Sequence, residues 1–343
     1  MEERGKMARR YRLLLGAGLL MLLATFLLNV MLGSAKLSLT EIWNSFFHPE
    51  LVESYRLSII MKIRLPRALA ALAGGSCLAV SGVLLQIFFN NPIVEPYILG
   101  ISSGSNLFLA LVLLGGYSFG MKHVSAMGLF TGAFAGAMLV MLIVIFASQK
   151  VKSVTTLLII GMMMGYICSA GTSVLKILAD KEQQALFTVW TMGSFSGFTW
   201  EQVRILYGFF VPFTFLAFLM SKPLNSMLLG EKYAQSMGIS IKPFRFLMVL
   251  VSSILTAAVT AFAGAISFVG LAIPHIVRTT FKTADNRIIL PGACIYGAVM
   301  AGMCDLGARL LLAPNEMPLG AVTAVIGAPV VVYLLVHKKG VDY

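Results

Sequence analysis

Apolar runs long enough to cross a bilayer recur along the whole chain, and that repetition limits what it can fold into. A helix needs roughly 20 residues to span about 30 Å of hydrocarbon. Ten stretches approach that length: 13–33, 67–88, 96–115, 124–147, 154–178, 203–221, 245–263, 267–281, 288–312 and 318–336. No soluble domain fits between them. With 58% hydrophobic and 12% charged residues among 343, the chain carries more apolar side chain than one water-soluble core can bury. It reads as an all-α polytopic membrane protein, with 1–343 forming a single transmembrane domain.

The eighth stretch differs from the rest. Between 264 and 278 an apolar segment is interrupted by Gly264, Gly270 and Pro274 and ends in the polar His275 and Arg278. Inside a bilayer, backbone groups freed from a helix are tolerated only where protein or a water-filled cavity satisfies them. A discontinuous helix therefore points to a transport path. An ordinary kink is the competing reading, since Gly and Pro are common in membrane helices. Without this short segment the count would be nine, and the two termini would lie on opposite sides.

Charge placement favours ten. With a cytoplasmic N-terminus, inside segments hold Arg4, Lys6, Arg9, Arg10, Arg12, Lys150, Lys152, Lys222, Lys232, Lys242, Arg245, Arg278, Lys282, Arg287, Lys338 and Lys339, sixteen of the 26 cations. Of the remainder, Lys36, Arg56, Lys62, Arg64 and Arg67 crowd one outer segment. The positive-inside rule then puts both termini, and a tail over 1–12, in the cytoplasm. Membrane orientation also accounts for most of the net charge of +12, so nucleic acid is not an expected partner and membrane lipid is.

Neither cysteine nor histidine supplies a metal pattern. Cys77, Cys168, Cys294 and Cys304 fall inside apolar spans without CxxC spacing and read as small buried hydrophobes. His48, His123, His275 and His337 are far apart and form no metal-spaced pair. No metal ligand set is expected.

Two connections stand out. On the outer side, 34–66 with Trp43, Phe46 and Phe47 reads as a cap with a short surface helix, while 179–202 with Trp190, Gly193, Phe195, Gly197 and Trp200 suits a short helix over the mouth of a cavity, a plain aromatic belt being the competing reading. On the inner side, 222–244 has helical spacing outside the membrane and reads as a helix-turn-helix. Its stripe of Met227, Leu228, Tyr233, Ala234 and Met237 needs a partner or the bilayer surface.

Five motifs in order resemble one family. They are Arg64-Leu-Pro-Arg67; Gly82, Gln86, Asn90, Asn91, Pro92, Pro96 and Gly100; Leu229, Gly230, Glu231, Ala234 and Gly238; the segment 264–278; and Glu316, Pro318, Gly320, Thr323, Gly327, Ala328 and Pro329. Together, over about 12–336, they resemble the FecCD family, the permease subunits of importers for iron-siderophores, haem and cobalamin. The resemblance implies a type II ABC importer fold and a homodimer of ten-helix subunits in a prokaryotic inner membrane. It also implies two cytoplasmic ATPase subunits that use ATP and Mg, and an extracytoplasmic binding protein that delivers the cargo. No G-x-x-x-x-G-K-[ST] sequence occurs here, so the chain is expected to be neither an ATPase nor the holder of a cofactor.

Carried over by motif, Leu229, Gly230, Glu231, Ala234 and Gly238 resemble the coupling helix that meets the ATPase. Arg64 and Arg309 resemble docking arginines for acidic residues of the binding protein. Thr155 and Thr156, at the inner end of the fifth span, are candidates for a cytoplasmic gate, while Gly264, Gly270, Pro274, His275 and Arg278 form the broken helix. Asp285-Asn286-Arg287 departs from the family's Asp-His-Arg and removes one titratable group from that loop. The alternative class is an ion-gradient-driven secondary transporter, whose mark is an ionisable residue deep in a span. Asp305 is the nearest such residue, and its spacing predicts an i,i+4 pair with Arg309.

Overall fold

The computed structural model describes residues 2–33, 37–118, 125–151 and 153–336. Lys36, His123, Lys152, His337, Lys338 and Lys339 lie outside the described residues. In chain order the helices are α1 (Glu2–Met31), α2 (Leu39–Phe47), α3 (Ser54–Ser58), α4 (Leu65–Phe88), α5 (Ile101–Ser118), α6 (Ala126–Lys150), α7 (Val154–Leu178) and α8 (Lys181–Thr191). They continue with α9 (Trp200–Leu219), α10 (Ser221–Leu228), α11 (Glu231–Ser236), α12 (Ile241–Ala263), α13 (Val269–Phe281), α14 (Asn286–Leu310) and α15 (Leu319–Val336).

Among the described residues, seven helices have the length and apolarity to cross a membrane. The shorter apolar α5 and α15, and the 13-residue α13, complete the ten expected segments. The expected tail over 1–12 is largely a continuation of α1. It is tied in where Arg10 Nη2 donates to Thr280 O at 2.8 Å.

Helix α4 is the axis of the bundle. Almost every residue from Leu65 to Phe88 is buried, and α12, α13 and α14 pack around it. Small residues permit the approach. A Cβ on Gly75 would lie 2.2 Å from Gly297 O of α14, and one on Gly82 would lie 1.9 Å from Gly270 O of α13. Lipid tails are as apolar as Leu, so helices in a membrane associate through such close packing more than through exclusion of water. By contrast α1, α7 and α9 are the least covered of these seven spans.

Helix ends obey local chemistry. Ser38 accepts from Glu41 N while the Glu41 carboxylate returns to Ser38 N at 2.8 Å, so a capping box starts α2. Thr199 and Gln202 do the same for α9. One end of the bundle carries α10 and α11; the opposite end carries α2, α8 and the turn into α15. Asn225 donates to Asp285 Oδ1 at 2.6 Å, fastening α10 to the start of α14 at the first of these ends.

Candidate functional site: a broken helix held at both ends

The break falls at 264–268. Gly264 ends α12 with φ 72° and ψ −164°, a backbone that side-chain-bearing residues rarely adopt. Phe268 begins α13 with φ 67°, a strained value for a residue with a Cβ. Gly270 and Pro274, expected as break points, lie within a continuous α13. They have other tasks. Gly270 gives the clearance for α4, and Pro274 removes one helical hydrogen bond.

Buried polar groups satisfy the interrupted backbone. Glu95, 8% exposed, lies in the turn after α4, and its Oε2 accepts from Phe268 N at 2.9 Å. A carboxylate at a helix N-terminus also meets the positive end of the helix dipole. Ser194 N donates to Ala263 O at 2.9 Å, stapling the break to the turn after α8. Phe268 packs over Gly327 of α15, where any Cβ would come within 2.5 Å of the Phe268 Cβ. Near the other end of α13, Arg278 Nη1 donates to Gln86 Oε1 at 2.7 Å. His275 stands half-buried between Pro274 and Arg278.

A second buried cluster ties α4, α14 and the turn before α15. Arg67 donates through Nε and Nη2 to Asp305, with the nearest ion-pair contact at 3.0 Å, and through Nη1 to Glu316 Oε1 at 2.7 Å. The Asp305 side chain is 1% exposed, so its charge is held by this fork. The expected i,i+4 partner, Arg309, is present but farther, at 3.4 Å. Proximity in sequence predicted the weaker contact. The stronger one joins residues 238 positions apart.

Arg64 and Arg309 are engaged within the chain. The Arg64 guanidinium is buried and donates to Val30 O at 2.8 Å and Met31 O at 2.7 Å, the terminal carbonyls of α1. Arg309 Nη2 donates to Asn29 Oδ1 at 2.6 Å. Among the described residues, Lys62, one turn before Leu65, is the exposed cation of that segment.

At the α10–α11 end, Gly230 and Gly238 take φ of 107° and 85° and bound the short α11, as tight turns require. Glu231 pairs with Arg245. Ala234 is wholly buried, so it belongs to the packed side of α11 and not to an exposed stripe. The outward side exposes Leu229, Tyr233 and Met237 among the polar Lys232, Gln235 and Ser236. Thr155 and Thr156 are exposed at the start of α7, on a helix whose Ile159, Met163, Tyr166, Ile167 and Ile177 are uncovered as well.

At the opposite end a cavity of about 660 Å³ opens between α5, α8, the end of α12 and the turn at 316–318. Apolar and aromatic side chains, among them Leu113, Phe187, Trp190 and Phe262, make most of its wall, with Ser194, Ser196 and Glu316 as polar points. The segment 179–202, which suits a short helix over the mouth of a cavity, supplies Trp190, Gly193 and Ser194 to this wall, whereas Glu95, and Arg67 as the central cation, carry no such local signal. Arg67 and Glu95 are read only once their distant partners are known.

The buried charge frame, the discontinuous helix and the two-helix appendage belong to the permease fold of type II ABC importers, as the match to a solved transporter shows. The FecCD transport family model matches residues 21–337, and the chain belongs to that family. It is 33% identical over 330 residues to the hemin transport system permease protein of Yersinia pestis, covering 96% of each chain. To the vitamin B12 import system permease protein of Salmonella typhi it is 37% identical over 336 residues, covering 98% of each. Among solved structures, a metal-chelate type ABC transporter in an inward-facing conformation superposes with a TM-score of 0.84 at 32% identity, over 94% of this chain and 99% of that one.

Proposed function

We propose that this permease moves a metal chelate, of the ferric siderophore, haem or cobalamin class, into the cytoplasm by alternating access. It works as a homodimer with two ATPase subunits and a binding protein on the far side. The carrying observation is the α10–α11 pair, whose Leu229, Tyr233 and Met237 are exposed outside the spanning helices. Apolar residues exposed among Lys232 and Gln235 suit a protein partner better than the bilayer, and no G-x-x-x-x-G-K-[ST] sequence occurs in the chain. ATP and Mg are handled by that partner. On this reading the α10–α11 end and both termini are cytoplasmic, in the inner membrane of a prokaryote.

The uncovered apolar face of α7, with Thr155 and Thr156 at its start, supports a two-fold axis there and a gate at that height. Docking of the binding protein would fall at the opposite end, by Arg64 and Arg309, whose side chains are buried in the free chain. Acidic residues of that protein would displace the neutral oxygens of Val30, Met31 and Asn29, because an ionised acceptor makes the stronger bond to a guanidinium.

Reconstitution tests the reading. The chain, co-purified from its membrane in mild detergent with its partners, is placed in liposomes and offered haem, ferrichrome and cyanocobalamin. Uptake that needs ATP and the binding protein is the expected result. Uptake that follows a proton or sodium gradient without ATP would assign the chain to the secondary transporters.

A further inference from the structure

Helix α2 has two apolar sides. One is sealed: Ile42 packs in a cluster with Val30 of α1 and with Ile60 and Leu65 at the entry to α4, and Ser45 is buried on the same helix. The other is open. Leu39, Trp43, Phe46 and Phe47, at i, i+4, i+7 and i+8, make one helical stripe whose members are 48–61% exposed. The Trp43 and Phe47 rings stand 4.3 Å apart between centroids, so the stripe is already ordered within the chain. Single exposed apolar residues need no explanation, but a continuous stripe of large ones on a firmly seated helix marks a contact surface.

Three observations say what the stripe rests on. The first is depth. The cluster that seats Ile42 includes Val30, and Arg64 closes the same end of α1 by donating to Val30 O and Met31 O. The apolar span of α1 runs from Arg9 to Met31, so α2 lies at the level where that span ends. This is the membrane–water boundary, where aromatic rings collect. The second is continuity. Leu20 and Leu23 of α1 are 69% and 55% exposed, so the helix on which α2 leans already turns side chains to the hydrocarbon. The third is charge. Among the described residues, every charged side chain of 37–57 has a partner within that segment: Glu41 and Glu53 hold Arg56, and His48 meets Glu50. A protein recognised through ion pairs finds none left open here, whereas an apolar interface needs none.

We propose that α2 is an interfacial anchor, its Leu39, Trp43, Phe46 and Phe47 bedded at the boundary between phospholipid headgroups and acyl chains. Amphipathic helices settle there with the apolar face sunk about 5–10 Å. Because Ile42 fastens α2 to α1 and to the entry of α4, the leaflet then sets the height of that end of both helices, and of Arg64 between them. The inference needs only that the chain spans a membrane and holds whichever side that end faces.

The test reads Trp43 fluorescence in the full chain reconstituted in phosphatidylcholine liposomes. The chain has three tryptophans, so Trp190→Phe/Trp200→Phe leaves Trp43 alone. Its emission is expected to lie to the blue and to be lost chiefly to phosphatidylcholine brominated near the headgroup end of the acyl chain, with little loss to iodide in the water. Adding Phe47→Glu should lift the stripe and raise iodide quenching several-fold. Trp200 Nε1 donates to Met61 O, and removing it can loosen this end, so Trp43→Phe in the otherwise intact chain supplies the same reading by difference. Quenching by iodide and not by brominated lipid would put the stripe in water and overturn the anchor. So would equal quenching by shallow and deep bromine, which would place Trp43 inside the hydrocarbon. Protection from both quenchers would also overturn it, because the stripe would then be covered by a second copy of the chain.

Discussion

Gly82 lies so close to Gly270 that a Cβ on the first would come within 1.9 Å of the carbonyl oxygen of the second. Helix α13 is short and strained at its start, and this contact fixes how near it stands to the central α4. Gly82→Ala is expected to push the two apart and to cost about 1–3 kcal/mol, the usual penalty for overpacking a dense interior. The same change at Gly208, which faces open space on α9, is the control. Thermal unfolding in detergent should separate the two variants, with Gly208→Ala unchanged or slightly more stable.

The Arg67 fork makes a second, asymmetric prediction. Arg67→Ala leaves the Asp305 carboxylate buried with only the more distant Arg309, and is expected to destabilise by ~3 kcal/mol or more. Glu316→Gln removes a charge that is 41% exposed and can be hydrated, so its cost should stay below about 1 kcal/mol. Melting temperatures of the two variants side by side check this. Equal losses would mean that Glu316, and not Asp305, is the anchor.

On α11 the buried and exposed sides should behave differently. Serine in place of Leu229, Tyr233 or Met237 is expected to weaken co-purification of the ATPase without moving the melting temperature. Ala234→Glu forces a charge into a position with no exposed surface, so it should lower stability first and partner binding only as a consequence. Pull-down yield measured alongside thermal unfolding distinguishes these cases.

The surface helix α2 carries a pH dependence. Hydrogen bonds from the Ser38 backbone and side chain hold the Glu41 carboxyl below its ordinary value of 4.5, with the charge of Arg56 adding to the effect. Unfolded, this group binds its proton more readily than folded. Its contribution is therefore complete above about pH 4.5 and is lost as pH falls through the lower folded value. Limited proteolysis of 39–47 should accelerate in that acidic window in wild type. In Glu41→Gln it should be faster at neutral pH and show no step.

Much of the architecture follows from sequence because the bilayer imposes it. Hydrocarbon thickness sets the length of a span and the absence of water forces the backbone into helices, so apolar runs locate the membrane segments from composition alone. Gly230 and Gly238 were legible in the same way, since a tight turn beside a short helix needs positive φ. Ala234 was not. Which side of α11 faces the protein depends on how α10 and α12 pack, and the periodicity of six residues cannot say.

The motifs themselves were visible as letters, but their meanings are tertiary. Pro274 and Gly270 announce an irregular helix in any sequence. That the irregularity sits at Gly264 to Phe268, and that Pro274 instead frees the Gly270 carbonyl for Gln86, depends on a neighbour nearly two hundred residues away. Asp305 similarly selects Arg67 over Arg309, because a bidentate fork in a dry interior outweighs a nearer position along the helix. Sequence by itself determined where the chain crosses the membrane and which family it resembles, since both rest on local apolarity and ordered motifs. Only the tertiary structure decided which buried donor meets which acceptor, because those pairings are set by the approach of helices that small residues allow.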